Sequence, residues 1–119
     1  PNIVQIHDMG VRDGRPFFSL EFCEGGSLQG RLDGTPLPSE AAARLVRTLA
    51  EAVGYAHEQG IIHRDLKPAN ILLVEPPTHP LALCTPKITD FGLAKRLTDT
   101  QGQTATEAIL GTPTYMAPE

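Results

Sequence analysis

Residues 63–70 read His-Arg-Asp-Leu-Lys-Pro-Ala-Asn, and the triplet Asp90-Phe91-Gly92 begins twenty positions after Asn70. The first stretch brings a carboxylate, an ammonium group and an amide close together in sequence, and the second adds a carboxylate on a tight turn. Phosphoryl transfer depends mainly on positioning and charge neutralisation. The two stretches therefore predict a site that holds a metal–nucleotide and presents a hydroxyl to its terminal phosphate.

The bulk properties restrict the class of protein. With 119 residues, the chain has the material of one domain or less. A net charge of −4 argues against a nucleic-acid partner, and without a long apolar stretch no membrane contact is expected within this segment. Cys23 and Cys84 fit no metal-ligand spacing, so we expect free thiols and a cytoplasmic location. A longer protein that contains the segment could still be membrane-anchored.

Alternating apolar and polar residues predict two paired strands near the start of the chain. Asp13-Gly14 separates them and indicates a hairpin turn. The apolar positions of the two strands are Val4, Ile6, Phe18, Leu20 and Phe22.

Two helices are predicted next. Ser27 is placed to cap a short helix that runs through Arg31. Residues 39–59 form the clearest helix, with Ser39 as its N-cap and Gly60 at its C-terminal stop. The residues expected on its apolar face are Ala42, Leu45, Val46, Leu49, Val53 and Ala56.

Residues 71–74 and 87–89 are predicted to be short partner strands, which places Asp90 just beyond a strand end. The proline-rich stretch between them, 75–86, is interpreted as an exposed, irregular insertion without chemistry. Residues 98–110 have no sustained period and are expected to form a loop.

Three motifs resemble those of the protein kinase family, in its Ser/Thr branch: the catalytic loop 63–70, Asp90-Phe91-Gly92 and Ala117-Pro118-Glu119. In this family a Gly-rich phosphate loop, a strand lysine and a helix glutamate precede a stretch like Pro1-Asn2-Ile3-Val4, and further helices follow the Ala-Pro-Glu motif. The resemblance, which is to bacterial members, therefore implies the central part of a kinase catalytic domain.

The fold class implied by the resemblance is α+β, a partial protein-kinase-like fold. It would comprise the end of the N-lobe sheet, the hinge and the first half of the mainly helical C-lobe. In this division, residues 1–23 are the N-lobe strands and hinge, and residues 24–119 belong to the C-lobe with an activation segment at 90–119.

The resemblance also assigns catalytic roles and implies ATP and Mg²⁺ as cofactors. Asp65 would orient the substrate hydroxyl and accept its proton, and Lys67 would stabilise charge on the transferred phosphate. Asn70 and Asp90 would supply oxygen ligands for magnesium. Lys67 and Asp90 would thereby also contact ATP.

Around Glu21-Phe22-Cys23 the chain resembles the hinge that borders adenine. The carbonyl of Glu21 and the amide and carbonyl of Cys23 would bind the base, beside Leu20 as gatekeeper and above Leu72 as an apolar floor. The alternative is an ordinary edge strand with a core leucine.

Structural roles are expected for four further residues. By resemblance, His63 and Phe91 pack in a stack of side chains that joins the lobes, and neither transfers a proton. Thr112 would contact the catalytic Asp and Lys, and Glu119 would pair with an arginine that the family supplies from a later helix.

Regulatory roles are expected for Arg64 and Lys95, which could bind a phosphothreonine. Thr104 or Thr106 is the predicted phosphorylation site, ahead of Thr98 and Thr100.

The function implied is ATP-dependent phosphorylation of Ser/Thr hydroxyls on protein substrates, with a kinase dimer possible for trans-autophosphorylation. One alternative is a pseudokinase or scaffold that binds partners without phosphoryl transfer. Another is a small-molecule phosphotransferase. That class usually lacks the Ala-Pro-Glu motif and a lysine at the position that Lys67 occupies here, two residues after the catalytic aspartate. Without the Gly-rich loop and strand lysine, the 119-residue segment alone is expected neither to turn over ATP nor to fold tightly.

Overall fold

The computed structural model describes residues 1–91 and 113–115 of the chain. The strands are β1 (Ile6–Arg12), β2 (Arg15–Leu20), β3 (Ile71–Leu73) and β4 (Pro86–Ile88), and the α-helices are α1 (Leu28–Arg31) and α2 (Ser39–Glu58). Short 3₁₀ turns lie at Pro68–Asn70, Leu81–Leu83 and Pro113–Tyr115.

The predicted hairpin is confirmed, since β1 pairs with β2 in antiparallel register around Asp13-Gly14. Both turn residues have positive φ, 52° and 73°, as a two-residue type I′ turn requires. The first strand, however, begins at Ile6 and not at Val4. Val4 is buried, and its N–H donates to the carbonyl of Ile88 at 2.9 Å, so it belongs to the second sheet.

The second sheet is built on the antiparallel pair β3 and β4, in which Ile71 lies opposite Ile88. Isolated bridges add one residue on each side, Ile3 against β4 and Ser27 against β3. This short sheet therefore joins the start of the chain to the segment that follows the hinge. The buried apolar residues in the described ranges are Val4, Cys23, Leu28, Ala41, Ala56, Ile71, Leu73 and Ile88.

The short helix α1 begins as predicted, because the Ser27 hydroxyl accepts a hydrogen bond from the Gly30 N–H. For α2 the predicted cap is wrong by one residue. The carbonyl of Pro38 already accepts the first helical hydrogen bond, from Ala42, so Ser39 lies inside the helix and caps nothing. The predicted stop is correct, since Gly60 has φ of 74° and donates its N–H to His57 O.

The apolar face of α2 is narrower than predicted. Ala56 is buried and Leu45, Leu49 and Val53 are half-buried, but Val46 is 64% exposed. Val46 follows Leu45 by one position, which rotates its side chain by about 100° away from the packed face. No helix within residues 1–91 and 113–115 is long and apolar enough to span a membrane.

The insertion at residues 75–86 is more ordered than the composition predicts. The Glu75 carboxylate accepts two hydrogen bonds from Thr85, one from its N–H at 2.6 Å and one from its hydroxyl at 2.7 Å. Arg31 donates to the carbonyl of His79 at 2.6 Å and so ties the insertion to α1. The loop is therefore closed at its ends and attached in its middle.

Candidate active site

The catalytic loop and the strand before Asp90 are joined through the backbone of one residue, Thr89. Its N–H donates to the carbonyl of Asn70 at 3.0 Å, and its carbonyl lies 2.8 Å from Nε2 of His63. All three residues are buried. Both ends of the catalytic loop, His63 and Asn70, are thus hydrogen-bonded to the residue that immediately precedes Asp90.

His63 uses both ring nitrogens for these structural contacts. Nδ1 accepts from the N–H of Asp65 at 3.2 Å, so the proton must reside on Nε2, which donates to Thr89 O. The imidazole also packs against the ring of Phe91, with centroids 4.7 Å apart and planes inclined by 62°. His63 and Phe91 are thus in contact with each other, while their predicted role in joining the lobes stays a prediction.

The catalytic loop brings Asp65, Lys67 and Asn70 into direct contact. Nζ of Lys67 lies 2.7 Å from Oδ2 of Asp65, with side chains 26% and 35% exposed. Nδ2 of Asn70 donates to the Asp65 backbone carbonyl at 2.9 Å and lies 3.3 Å from its Oδ2. The Asp65 carboxylate is therefore oriented by both of its predicted companions, and it remains partly open to solvent.

Backbone strain accompanies these side chains. Within the described residues, only Asp13, Arg64 and Asp90 are non-glycine residues with positive φ, and the last two, at 66° and 62°, flank the site. A left-handed backbone is unfavourable for residues with a Cβ and persists only where surrounding contacts hold it. At Arg64 and Asp90 the buried His63 and Thr89 are the adjacent anchors.

The predicted magnesium ligands lie on either side of the Thr89 connection. Asp90 is exposed and directly follows Thr89, whose N–H is bonded to the backbone of Asn70. The amide nitrogen of Asn70 is the atom that contacts Asp65, so its oxygen is the atom that could serve as a metal ligand. Where the structure is described, no three His, Cys, Asp or Glu side chains group into a metal site, so these oxygens would need phosphate or water ligands beside them.

The residues predicted to form the hinge directly follow β2. Over residues 1–91 and 113–115, the Glu21 carbonyl and the Cys23 N–H have no backbone partner, as a base-binding edge requires, although the Cys23 carbonyl already accepts a hydrogen bond of 3.3 Å from Gly26. Leu72 alternates with buried Ile71 and Leu73 and so faces the other side of β3. Leu20, the last residue of β2, is 36% exposed.

A contact at the hinge was not foreseen from the sequence. Oε1 of Glu21 lies 2.5 Å from Nζ of Lys87, and we call this contact the hinge ion pair. The hydrogen bond from Lys87, followed by that from the Gln5 N–H, holds the pKa of Glu21 below its ordinary value. The neighbouring Cys23 thiol is buried, and burial raises its pKa. The only sequence signal for the pair was the opposite charge of two residues 66 positions apart.

Several predicted residues lie outside the described part of the chain. These are Lys95, Thr98, Thr100, Thr104, Thr106, Thr112 and Glu119. Arg64 lies within the described residues and is exposed, whereas the threonines proposed to bind it when phosphorylated lie outside them.

The described residues form an α+β arrangement in which one loop orients the carboxylate of Asp65. The protein kinase domain model matches residues 1–119, so the chain belongs to the protein kinase family. This confirms the fold class and the family that the motifs predicted.

Bacterial serine/threonine-protein kinases are among the relatives of this chain. PknJ of Mycobacterium tuberculosis is 39% identical over 119 residues, which are all of this chain and 20% of that protein. PknF of the same species is 38% identical over 122 residues, covering all of this chain and 25% of PknF. Pkn1 of Myxococcus xanthus is 42% identical over 118 residues, covering 99% of this chain and 16% of Pkn1. The chain thus spans a quarter or less of the length of these relatives.

Proposed function

We propose that the protein containing this chain transfers the terminal phosphoryl group of ATP, with magnesium, to Ser or Thr hydroxyls of protein substrates. The single observation that carries the proposal is the contact of Lys67 and Asn70 with the carboxylate of Asp65. The serine/threonine-protein kinase names of the relatives support the same reaction.

The side chains and backbone groups available fit a magnesium–nucleotide. Asn70 and Asp90 offer the hard oxygen ligands that Mg²⁺ prefers. Neither residue is a thiol or an imidazole, the ligand types that suit softer metals. The Glu21 carbonyl and the Cys23 N–H provide an acceptor and a donor on one edge for a planar base. A bound magnesium ion would neutralise phosphate charge that builds up during transfer.

We assign each residue a role that its contacts support. Asp65 accepts the hydrogen bond of the incoming hydroxyl and takes its proton late, so a weak base suffices. Asn70 donates to the Asp65 carbonyl and to its Oδ2, which holds the carboxylate in place, and Lys67 places a positive charge at the same Oδ2. His63, with both nitrogens engaged by the backbone, keeps the loop in this shape.

The proposal is tested on the full-length protein with a peptide or protein substrate and radiolabelled ATP. Replacing Asp65 with Asn should lower kcat by about a thousandfold while Mg–ADP still binds, because a general base typically contributes 10²–10⁴-fold. Asp8→Asn, on the exposed face of β1, is the matched control and should leave kcat unchanged. Equal activity of Asp65→Asn and wild type would contradict the proposal.

Three finer expectations remain predictions that depend on this function. They are trans-autophosphorylation in a kinase dimer, a cytoplasmic location and a lack of turnover by residues 1–119 alone. Wild-type protein that shows neither phosphoryl transfer nor Mg–ADP binding would favour a scaffold that binds partners without transfer.

A further inference from the structure

The hinge ion pair differs in environment from the surface ion pairs of α2. The Lys87 and Glu21 side chains are 17% and 24% exposed, whereas Arg47 and Glu51 are 78% and 66% exposed. Exposed pairs are screened by water and contribute little. The hinge ion pair is therefore the stronger candidate for a positional role.

Glu21 is held on both sides, by its side chain and by its backbone. Oε2 of its carboxylate accepts from the N–H of Gln5 at 3.2 Å, and its own N–H donates to the carbonyl of Gln5 at 2.9 Å. With Oε1 bonded to Lys87, little freedom remains for the peptide that carries the Glu21 carbonyl. That carbonyl is the proposed acceptor for the nucleotide base.

Lys87 lies on β4, the strand that leads to the proposed magnesium ligand Asp90. It is the middle residue of β4, directly opposite Leu72, the proposed floor of the base site. Three residues further on comes Asp90, about 10 Å away along extended chain. One lysine thus connects the hinge to the strand that positions a proposed magnesium ligand.

We propose that Lys87 is a positioning residue for the nucleotide, which fixes the hinge carbonyl of Glu21 relative to the strand that leads to Asp90. This inference rests on the proposed function. The ion pair sets the separation between the base-binding end and the phosphate-binding end of the cleft. It also compensates a carboxylate that would otherwise stand unpaired beside an anionic ligand.

The test uses the full-length protein and measures the Kd of Mg–ADP by calorimetry, KM for ATP, kcat and Tm. Lys87→Met removes the charge at similar length, Lys87→Arg keeps it, and Glu21→Gln neutralises the partner. Arg47→Met is the matched control, since it breaks an ion pair that lies far more in solvent. The double variant Lys87→Met/Glu21→Gln measures whether the two residues act together.

Lys87→Met should raise both Kd for Mg–ADP and KM for ATP about tenfold with kcat within about twofold, because Asp65 and its companions are untouched. Lys87→Arg should restore most of the affinity, and the double variant should be no weaker than Lys87→Met. Arg47→Met should match wild type.

Two results would overturn the inference while leaving the proposed function intact. One is an active Lys87→Met protein whose affinity for Mg–ADP equals that of wild type. The other is a loss that falls equally on kcat, is accompanied by a lower Tm and is not rescued by Lys87→Arg, which would show a purely structural role. Wild-type protein that neither binds Mg–ADP nor transfers phosphate would instead refute the proposed function and the inference together.

Discussion

The imidazole of His63 meets the ring of Phe91 with centroids 4.7 Å apart, while its two nitrogens contact the backbone of Asp65 and Thr89. A histidine beside a catalytic carboxylate would ordinarily suggest a proton-transfer role. Here both nitrogens are already engaged, so the ring serves to connect two segments of backbone.

Replacing His63 with Ala should therefore destabilise the protein. The change removes the hydrogen bond that the buried Thr89 carbonyl accepts and the one that the Asp65 N–H donates, at a cost of about 2 kcal/mol or more in the free energy of unfolding. Chemical denaturation of the full-length protein measures it. His57→Ala, at an exposed position in the last turn of α2, is the control and should change stability by less than about 0.5 kcal/mol. Similar values for the two variants would argue against the connecting role.

Asn70 allows its two proposed roles to be separated. Asn70→Asp keeps an oxygen ligand for magnesium and adds charge, but it loses the N–H groups that contact Asp65 and places a second carboxylate 3.3 Å from the first. We expect kcat to fall by about a hundredfold or more in Asn70→Asp, because the orientation of Asp65 is lost. Steady-state kinetics over a range of magnesium concentrations measures this. Full activity of Asn70→Asp would mean that only the metal ligand matters.

Gly25 lies where a side chain cannot be accommodated. A Cβ there would stand 2.2 Å from the carbonyl oxygen of Glu75 and 2.8 Å from the carbonyl oxygen of Leu73, and both are backbone atoms. Gly25→Ala should thus force the hinge segment away from β3 and lower stability by about 2 kcal/mol or more.

The matched control for Gly25 is Gly54, inside α2, where an added Cβ meets nothing within 4 Å. Gly54→Ala should raise stability by about 1 kcal/mol through helix propensity. Thermal melting of both variants checks the pair of expectations. A Gly25→Ala protein that melts at the wild-type temperature would contradict the close approach seen here.

The Glu75–Thr85 contact should give the insertion a distinct pH dependence. The N–H of Thr85, followed by its hydroxyl, holds the pKa of Glu75 below its ordinary value of 4.5. Because the folded pKa is the lower one, the stabilisation is present above about pH 4.5 and is lost as the pH falls through the folded pKa. The stability difference between wild type and Glu75→Gln should therefore be constant near neutrality and shrink in acid.

Denaturation of wild type and Glu75→Gln at about pH 7 and at about pH 3 measures this difference. Glu58→Gln is the control, because Glu58 is exposed at the end of α2 and its carboxylate makes no hydrogen bond or ion pair within the described residues. A difference that grows in acid would show that the carboxylate is not the acceptor described.

Local patterns were enough to predict most of the elements that position the site. Asp13-Gly14 has the turn chemistry of a tight hairpin, and Gly60 has the backbone freedom that ends a helix. The spacing of Asp65, Lys67 and Asn70 within one loop made their contact predictable, because six consecutive residues cannot place them far apart. The packing of His63 on Phe91 followed only from the family resemblance.

Other features depend on contacts that no local pattern encodes. The hinge ion pair joins residues 66 positions apart, and two opposite charges in a sequence do not indicate pairing. The position of Val4 depends on the hydrogen bond from its N–H to the Ile88 carbonyl, next to the bridge between Ile3 and Ile88, whereas its alternation with Ile6 indicated only a strand. The ordering of the proline-rich insertion depends on Glu75, Thr85 and Arg31, whose hydrogen bonds are made to backbone groups or to each other.

The connection through Thr89 has a consequence for mutational tolerance. The hydrogen bonds to Asn70 and His63 use only main-chain atoms of Thr89, so they place no demand on the Thr89 side chain. Alanine, serine or valine at position 89 would preserve both, whereas proline, which lacks an N–H, would remove one. A saturation scan should thus find position 89 permissive to small residues, even though Thr89 joins the catalytic loop to Asp90.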